Sequence, residues 1–428
     1  MRIAAATSTK RQVSGACPLR PGRRGGVVAV ALLVISACLA RSAAAGTEDL
    51  TVVSWGGRYM AMQQRVFGIP WQGRTGKTIR WQSYTGGLDE IRRQIRSGNV
   101  TWDVVDVVAG EAQTGCNEGL FEEVPESVFE RAANGQSLDD DLTIGRPNKC
   151  AAPLAAWSYV VFFDKNVFRK KAGRGKRASA RKVRRKKTAR AAKGKSASAT
   201  KRKILRASRA TSGPATIADF FNLKRFPGKR AVPAWPNGLI EMALVADGVM
   251  PRKVYQVLAR SGGIDRAFRK LDSIKANLVF WTRAAKALEM VEYRSVKMAI
   301  AFSNVVGEAV LEREADLVTI WDGQVLEAEW FAVPKGSKRK DTAFDFIRFA
   351  TGPGSQARMA HFATYGPLRR SALARIADAE PWYHSRKPVG AHLPNRPAVM
   401  ARSVIANAGW WIENGAAIKR RFDAWRAK

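Results

Sequence analysis

Histidine is scarce in this 428-residue chain, with three copies, and cysteine nearly so, with four. So few imidazoles and thiols exclude a metal-rich or disulfide-dense scaffold. His361, His384 and His392 fall in the C-terminal part, and none stands at metal-ligand spacing from another His or Cys. A G-x-S-x-G nucleophile elbow is absent. Gly76-Lys77-Thr78 matches the end of a phosphate loop, but Trp71 occupies the place of its first glycine, which rules the motif out. Asp139-Asp140-Asp141 offers oxygen ligands for calcium, yet reads more simply as an exposed acidic turn. The chain is therefore expected to use no metal and no cofactor, and to have no catalytic residues.

Acidic residues are missing from two stretches. None occurs before Glu48, and none between Arg169 and Arg209. Those stretches hold twenty-seven of the net thirty-seven positive charges, which leaves +10 for the remainder. A hydrophobic run of membrane-spanning length is also missing. The longest, Val27–Ala40, has the length of a signal-peptide core; a basic segment precedes it and the small residues Ala43-Ala44-Ala45 follow. Residues 1–45 are read as an export signal. Ile35-Ser36-Ala37-Cys38 is similar to a lipoprotein cleavage box, so lipid attachment at Cys38 stays open. Removal of residues 1–45 leaves Cys116 and Cys150, an even pair in an oxidising compartment, as a disulfide or as two buried thiols.

Residues 169–212 are a low-complexity Ala/Lys/Arg/Ser/Gly tract without aromatics. Such a composition does not bury enough surface to offset ordering entropy, so it is read as a disordered insertion. Its basic part, Arg169–Arg209, is either an attachment to nucleic acid or another anionic surface, or a solvated loop insertion without a role of its own.

The rest is rich enough in apolar residues, at 46% overall, to build two cores. Leu50–Trp55, Thr78–Gln82 and Asp103–Ala109 read as short buried strands. Helices are expected near Arg58–Phe67 and from the spacing of Leu88, Ile91 and Ile95. Ala151–Phe163 is β-prone and long enough to cross between two lobes. Ile217–Phe221 opens a second α/β region, continued by helices over Glu241–Asp247 and Pro251–Leu258 and by the spacing of Ile264, Ala267, Phe268, Leu271 and Ile274. Val296–Phe302 and Glu329–Val333 read as strands, and Thr342–Ala350 as an amphipathic helix. Trp411, Ile418, Phe422 and Trp425 form a stripe on a last helix and are assigned to the core. Alternation of strands and helices gives an α/β fold with a parallel sheet. Ligands of such sheets bind beyond the carboxyl ends of the strands, where Trp55 and Tyr59 stand.

Phe226–Asp247, FPGKRAVPAWPNGLIEMALVAD, with Gly248-Val249 and Pro251-x-x-Val254-Tyr255, closely resembles the spermidine/putrescine-type solute-binding proteins of ABC importers. Trp55-Gly56-Gly57-x-Tyr59, Trp102-Asp103-Val104-Val105-Asp106, Gly115-Cys116-x-Glu118-Gly119, Trp330-x-x-Val333-Pro334-Lys335-Gly336 and Tyr365-Gly366-Pro367 fit in the same order. The resemblance implies a two-lobe type II periplasmic binding protein fold, with hinge strands, a ligand cleft between the lobes, delivery to an ABC permease, and a cysteine pair near Cys116 and Cys150. The expected organisation is lobe 1 over 46–155 and 329–370, lobe 2 over 156–328, and C-terminal helices over 371–428 packing on lobe 2. The protein is expected to act as a periplasmic monomer.

A polyamine needs aromatic faces for its methylenes and carboxylates for its ammonium ends. The candidate rings are Trp55, Tyr59, Tyr84, Trp157, Trp235, Trp281 and Phe302. Glu111 and Glu241 are the candidate acids, and Asn304 completes the set. The residual positive charge leaves an anionic or amino-acid-like solute open, with the backbone of Thr85-Gly86-Gly87 as donor. Deletion of residues 169–212 should abolish salt-sensitive affinity for DNA or anionic vesicles in a filter-binding or co-sedimentation assay; unchanged binding would place the attraction elsewhere.

Overall fold

The computed structural model describes residues 49–168, 213–376 and 380–428. The export signal, Cys38 and the basic insertion lie outside the described residues.

The chain opens with β1 (Leu50–Ser54), whose five residues are all buried. Helix α1 (Gly57–Gln63) passes through a wider turn at Gln64–Gly68 into α2 (Ile69–Thr75). There follow β2 (Ile79–Ser83), α3 (Asp89–Arg96), β3 (Val104–Val108), α4 (Ala109–Asn117), a short α5 (Leu138–Asp141) and the 13-residue β4 (Ala152–Asp164). The next group is α6 (Ile217–Phe221), β5 (Arg230–Pro233), α7 (Leu239–Ala246), α8 (Val254–Leu258), α9 (Gly263–Asp272), β6 (Leu278–Trp281), α10 (Ala284–Glu292), β7 (Met298–Phe302) and α11 (Ser303–Glu312). The 16-residue β8 (Leu317–Ala332) leads to α12 (Lys340–Thr351), α13 (Pro353–Arg358), β9 (Gly366–Pro367) and α14 (Arg370–Leu373). Last come α15 (Pro397–Met400), β10 (Val404–Ile405) and the 20-residue α16 (Ala408–Ala427).

The strands form one sheet in the order β2-β1-β3-β8-β4-β7-β5-β6, with β10 on β8 and β9 on β4. β2, β1 and β3 are parallel, as are β7, β5 and β6. Between these two parallel sets the long strands β8 and β4 pair antiparallel to each other. Their ladder runs from Ala152↔Phe331 to Asp164↔Leu317 and is irregular at two places, between Pro153 and Ala155 and between Tyr159 and Val161.

One core gathers β1, β3, the first half of β4, the second half of β8 and α12, with Trp71, Trp330, Phe331 and Phe346 at its centre. A second lies around β7, α6, α7 and α9 and receives Trp410, Ile418 and Phe422 of α16. This is the two-lobe arrangement: two parallel α/β halves joined by the β4–β8 ribbon. The strand expected over Glu329–Val333 extends back to Leu317. Gly323 takes φ of 73°, and a Cβ there would meet Ile217 at 2.6 Å, so the strand continues through a left-handed residue packed tightly on α6.

Trp382, Val389 and Leu393 pack with Leu311 and Ala360 in a small cluster of their own. The Asp139–Asp141 segment differs from expectation. Asp139 pairs with Arg146, but Asp141 is buried and accepts from Arg369 Nε at 2.7 Å, in place of the exposed turn. No group of acidic, His or Cys side chains among the described residues could hold a metal ion.

Cys116 at the end of α4 and Cys150 just before β4 form a disulfide, with 34 residues of separation. In the chain-entropy account such a loop stabilises by about 3–4 kcal/mol.

Arg369 is fully buried, and its remaining nitrogens donate to the carbonyls of Thr351 and Glu130. Arg369→Ala should cost about 3–5 kcal/mol by leaving the Asp141 charge buried without its cation, held only by the Ser371 N–H and hydroxyl. Arg369→Ala combined with Asp141→Ala should cost less than the single change, as read in urea melts of the apo protein.

Candidate functional site

The carboxyl ends of β1, β3 and β7 meet the middle of β4 and β8 around a cavity of about 300 Å³. Trp55 and Tyr59 enter from β1 and α1, Val108 from the end of β3, and Phe302 and Asn304 from the end of β7. Trp157 of β4, Glu329 of β8 and Tyr365 complete the wall. A second cavity, of about 470 Å³, adjoins it. Val108 and Trp157 line both, so Trp157 stands between them. The second cavity is lined by Glu111, Tyr159, Trp235, Asn237, Glu327 and Trp411, among others. No Lys or Arg lines either cavity among the described residues.

Strand geometry explains the acids. Glu327 and Glu329 are two residues apart on β8, so both carboxylates leave the same face, roughly 7 Å apart along the strand. Trp157 is the register partner of Glu327. Its Nε1 donates to Glu329 Oε1 at 2.8 Å, and Trp55 Nε1 donates to Oε2 at 3.2 Å. Behind them lies Asp106, with no exposed surface. Gln63 donates to its Oδ2 at 2.6 Å, while Oδ1 has no partner.

Burial pushes the Glu329 carboxyl above the usual carboxylate range, opposed by the Trp157 hydrogen bond. Asp106 is driven up by burial and by the nearby Glu329 charge. Glu327 makes no hydrogen bond or ion pair, and burial with the charges of Glu241 and Glu329 pushes it up to about 8. These carboxyls are held as acids for want of a cation.

The rings pack into each other as well as into the cavities. Trp157 meets Phe302 edge-on at 5.1 Å. Trp235 donates from Nε1 to the Tyr159 hydroxyl at 3.0 Å and lies 6.3 Å from Phe302 in a stacked arrangement. Two glycines make the seats. A Cβ at Gly86, whose φ is 83°, would meet the Trp55 ring at 2.7 Å. A Cβ at Gly238, with φ of 76°, would meet Tyr159 at 2.4 Å.

The structure brings together Trp55, Tyr59, Trp157, Phe302 and Asn304 on the first cavity, and Glu111 and Trp235 with Trp157 on the second. Three expected residues stand off both walls. Tyr84 lies behind Trp55 with ring centroids 5.1 Å apart, its hydroxyl donating to the Asp106 carbonyl. Trp281 is buried beneath Trp235, and its Nε1 donates to the carbonyl of Ile300 at 3.0 Å. Glu241 is fully buried on α7, accepting from Tyr255 and from Trp411, each at 2.8 Å. Its carboxyl is pushed up to about 7 by burial, so it serves as a packing acid rather than a ligand acid.

Glu111 is on the wall but also caps its own helix, taking the N–H groups of Gly87 at 2.5 Å and Val108 at 3.3 Å. That contact occupies the Gly87 N–H expected to serve an anion. Trp411, assigned to the core stripe, instead reaches the second cavity and Glu241. Glu327, Glu329 and Asp106 were missed, although each interrupts an apolar strand. VLEAEWFAV carries two acids at the strand period, and a buried face does not carry carboxylates without a function or a partner.

Arg58, in the first turn of α1 between Trp55 and Tyr59, reaches α11 and forms an ion pair with Glu312; its Nε lies 3.9 Å from Glu308. The contact joins the first turn of α1 in the first lobe to α11, whose first turn holds Asn304. Asn304 Nδ2 donates to the Tyr365 hydroxyl at 2.9 Å, a second link between the same two sides.

Comparison with known proteins decides the family. The model for bacterial extracellular solute-binding proteins matches residues 70–387. The chain belongs to that family. It is the periplasmic solute-binding component of an ABC transporter, not an enzyme. A gamma-aminobutyric acid-binding protein of Pseudomonas aeruginosa is 29% identical over 93% of this chain and 96% of its own. A solved ABC transporter substrate-binding protein of Bradyrhizobium japonicum is 26% identical, with TM-score 0.68, over 88% of this chain and 98% of its own. A spermidine/putrescine substrate-binding protein of Streptococcus pneumoniae shares the fold at 13% identity and TM-score 0.60, over 89% and 100%. No helix among the described residues is long and apolar enough to cross a membrane.

Raised carboxyl pKa values set the sign of a pH effect. From roughly pH 4.5 to 7 the folded protein holds protons on Glu241, Glu308 and Glu327 that the unfolded chain has released, so these groups make stability fall as pH rises. Thermal melts of the apo protein between pH 5 and 8 should show this slope. Glu327→Gln should flatten it by on the order of 2 kcal/mol across that range.

Proposed function

We propose that the cleft binds a small organic amine, a polyamine or a related short-chain amine, by closure of the two lobes, and delivers it to its permease. The observation that carries this reading is the acidic pair Glu327 and Glu329 among aromatic rings, with no basic side chain on the wall among the described residues. An ammonium group beside Glu329 supplies the cation this face lacks, forming a charge-assisted hydrogen bond where water is excluded. Trp157, Trp55 and Phe302 offer faces to the cation and to its methylenes. The spacing of Glu327 and Glu329 suits two ammonium ends on a short alkyl chain. Arg58 and its partners Glu308 and Glu312 lie where the lobes meet and favour the closed state.

A second reading, an ω-amino acid, uses the same ammonium seat. The relative named for gamma-aminobutyric acid favours it, whereas the lack of a cationic anchor on either wall favours the diamine.

Calorimetric titration with putrescine, spermidine and gamma-aminobutyric acid tests both. Saturable binding is expected, weakened about 10- to 100-fold by Glu329→Gln, the loss of one hydrogen bond to a charged group. Affinity for the cation should also fall as pH drops below about 7, because the carboxyls must release their protons to receive it. A diamine bound with undiminished affinity by Glu329→Gln would overturn the assignment of the seat, and no heat with any amine would overturn the solute class.

A further inference from the structure

Asp106 stands behind the amine seat and lines neither of its two cavities. It is fully buried on β3, where it pairs with Phe331, and Val108 two residues later pairs with Glu329. Residues two apart on a strand share a face, so Asp106 and Glu329 are diagonal neighbours on one side of the β3–β8 ladder.

Donors around the pair are unevenly shared. Glu329 accepts from the indole N–H groups of Trp157 and Trp55. The Asp106 carboxyl accepts from Gln63 at Oδ2, and its Oδ1 has no partner; Gln63 Oε1, also buried, has none either. Both orphans are acceptors, so this buried cluster is short of a hydrogen. Two carboxyls bond to each other only through a proton, and a hydrogen bond with Asp106 is among the contacts that hold Glu329 down against burial. The charge belongs on the member with more donors, which is Glu329. Tyr59 of α1, Tyr84 after β2, Glu111 of α4, Glu327 of β8 and Tyr365 before β9 are the other titratable groups around the pair among the described residues, and none is basic.

We propose that Asp106 is a positioning residue carried as a neutral acid, which donates its proton to Glu329 and keeps it when an ammonium group docks. Glu329 is then the one ionised acid of the pair, and the seat offers a single negative charge to a single ammonium end. Any proton that Glu329 holds in the free protein leaves for solvent as the ammonium arrives; the Asp106 proton stays. The assignment rests on the amine reading for its ligand and on the β3–β8 geometry for its proton.

Titration of the mature protein with putrescine and with gamma-aminobutyric acid, from about pH 6 to 8, tests this together with infrared spectra. Asp106→Asn, whose amide stands in for the protonated carboxyl, should keep the wild-type amine affinity and pH profile. Asp106→Ala should weaken binding by about tenfold and move the acid limb of that profile to higher pH, because Glu329 loses a donor to its ionised form. The difference between wild-type and Asp106→Asn infrared spectra at about pH 7 should show one protonated-carboxyl band, with and without amine. Absence of that band would overturn the assignment whatever the solute. So would a loss of affinity in Asp106→Asn as large as in Glu329→Gln, the mark of an ionised Asp106. No heat from the wild type with either ligand would instead overturn the amine reading, with the band still deciding the proton on Asp106.

Discussion

Two carboxylates face the cleft from the second half of the longest described strand, with no cation to neutralise them among the described residues. Carboxylates withdrawn from water without a partner are costly, and the fold meets that cost by other means. Indole N–H groups from Trp55 and Trp157 solvate Glu329, and a raised pKa lets protons stand in for the missing charge. The cleft is thus electrostatically unfinished, the deficit that the proposed amine would fill.

The surrounding chain serves to fix those two acids and their indoles. Trp55 keeps its place because Gly86 has no side chain, and Tyr159, which orients Trp235, depends in the same way on Gly238. The Cys116–Cys150 bridge ties α4, which carries Glu111, to the start of β4, which carries Trp157. Fully buried Arg230 reaches the carbonyls of Phe220, Phe226 and Gly228, pinning the loop that leads into β5 and Trp235.

Much of this was legible in the sequence. Valine-rich runs and helical spacing placed β1, β2, β3, β7, α3, α9 and α12, because local periodicity and burial agree there. Aromatics next to Gly or Pro at strand ends, Trp55 and Trp235, were found for the same reason. The acids were not. Glu241 was chosen because it follows a strand-like segment, yet α7 turns it inward toward Tyr255 and toward Trp411, 170 residues further along the chain, a contact that no local pattern encodes. Glu327 and Glu329 were passed over because an isolated strand does not reveal that both its faces are covered. Their two-residue spacing was the available signal.

The β4–β8 ribbon fixes how such a molecule can move. A paired ribbon flexes where its ladder is broken, and the two breaks fall at Pro153/Ala155 and Tyr159/Val161. Trp157 and its partner Glu327 sit in the unbroken segment between them. The proposed lobe closure would therefore pivot at two joints on either side of an intact block, so the recognition surface on the ribbon would travel as one piece and stay assembled while the halves swing.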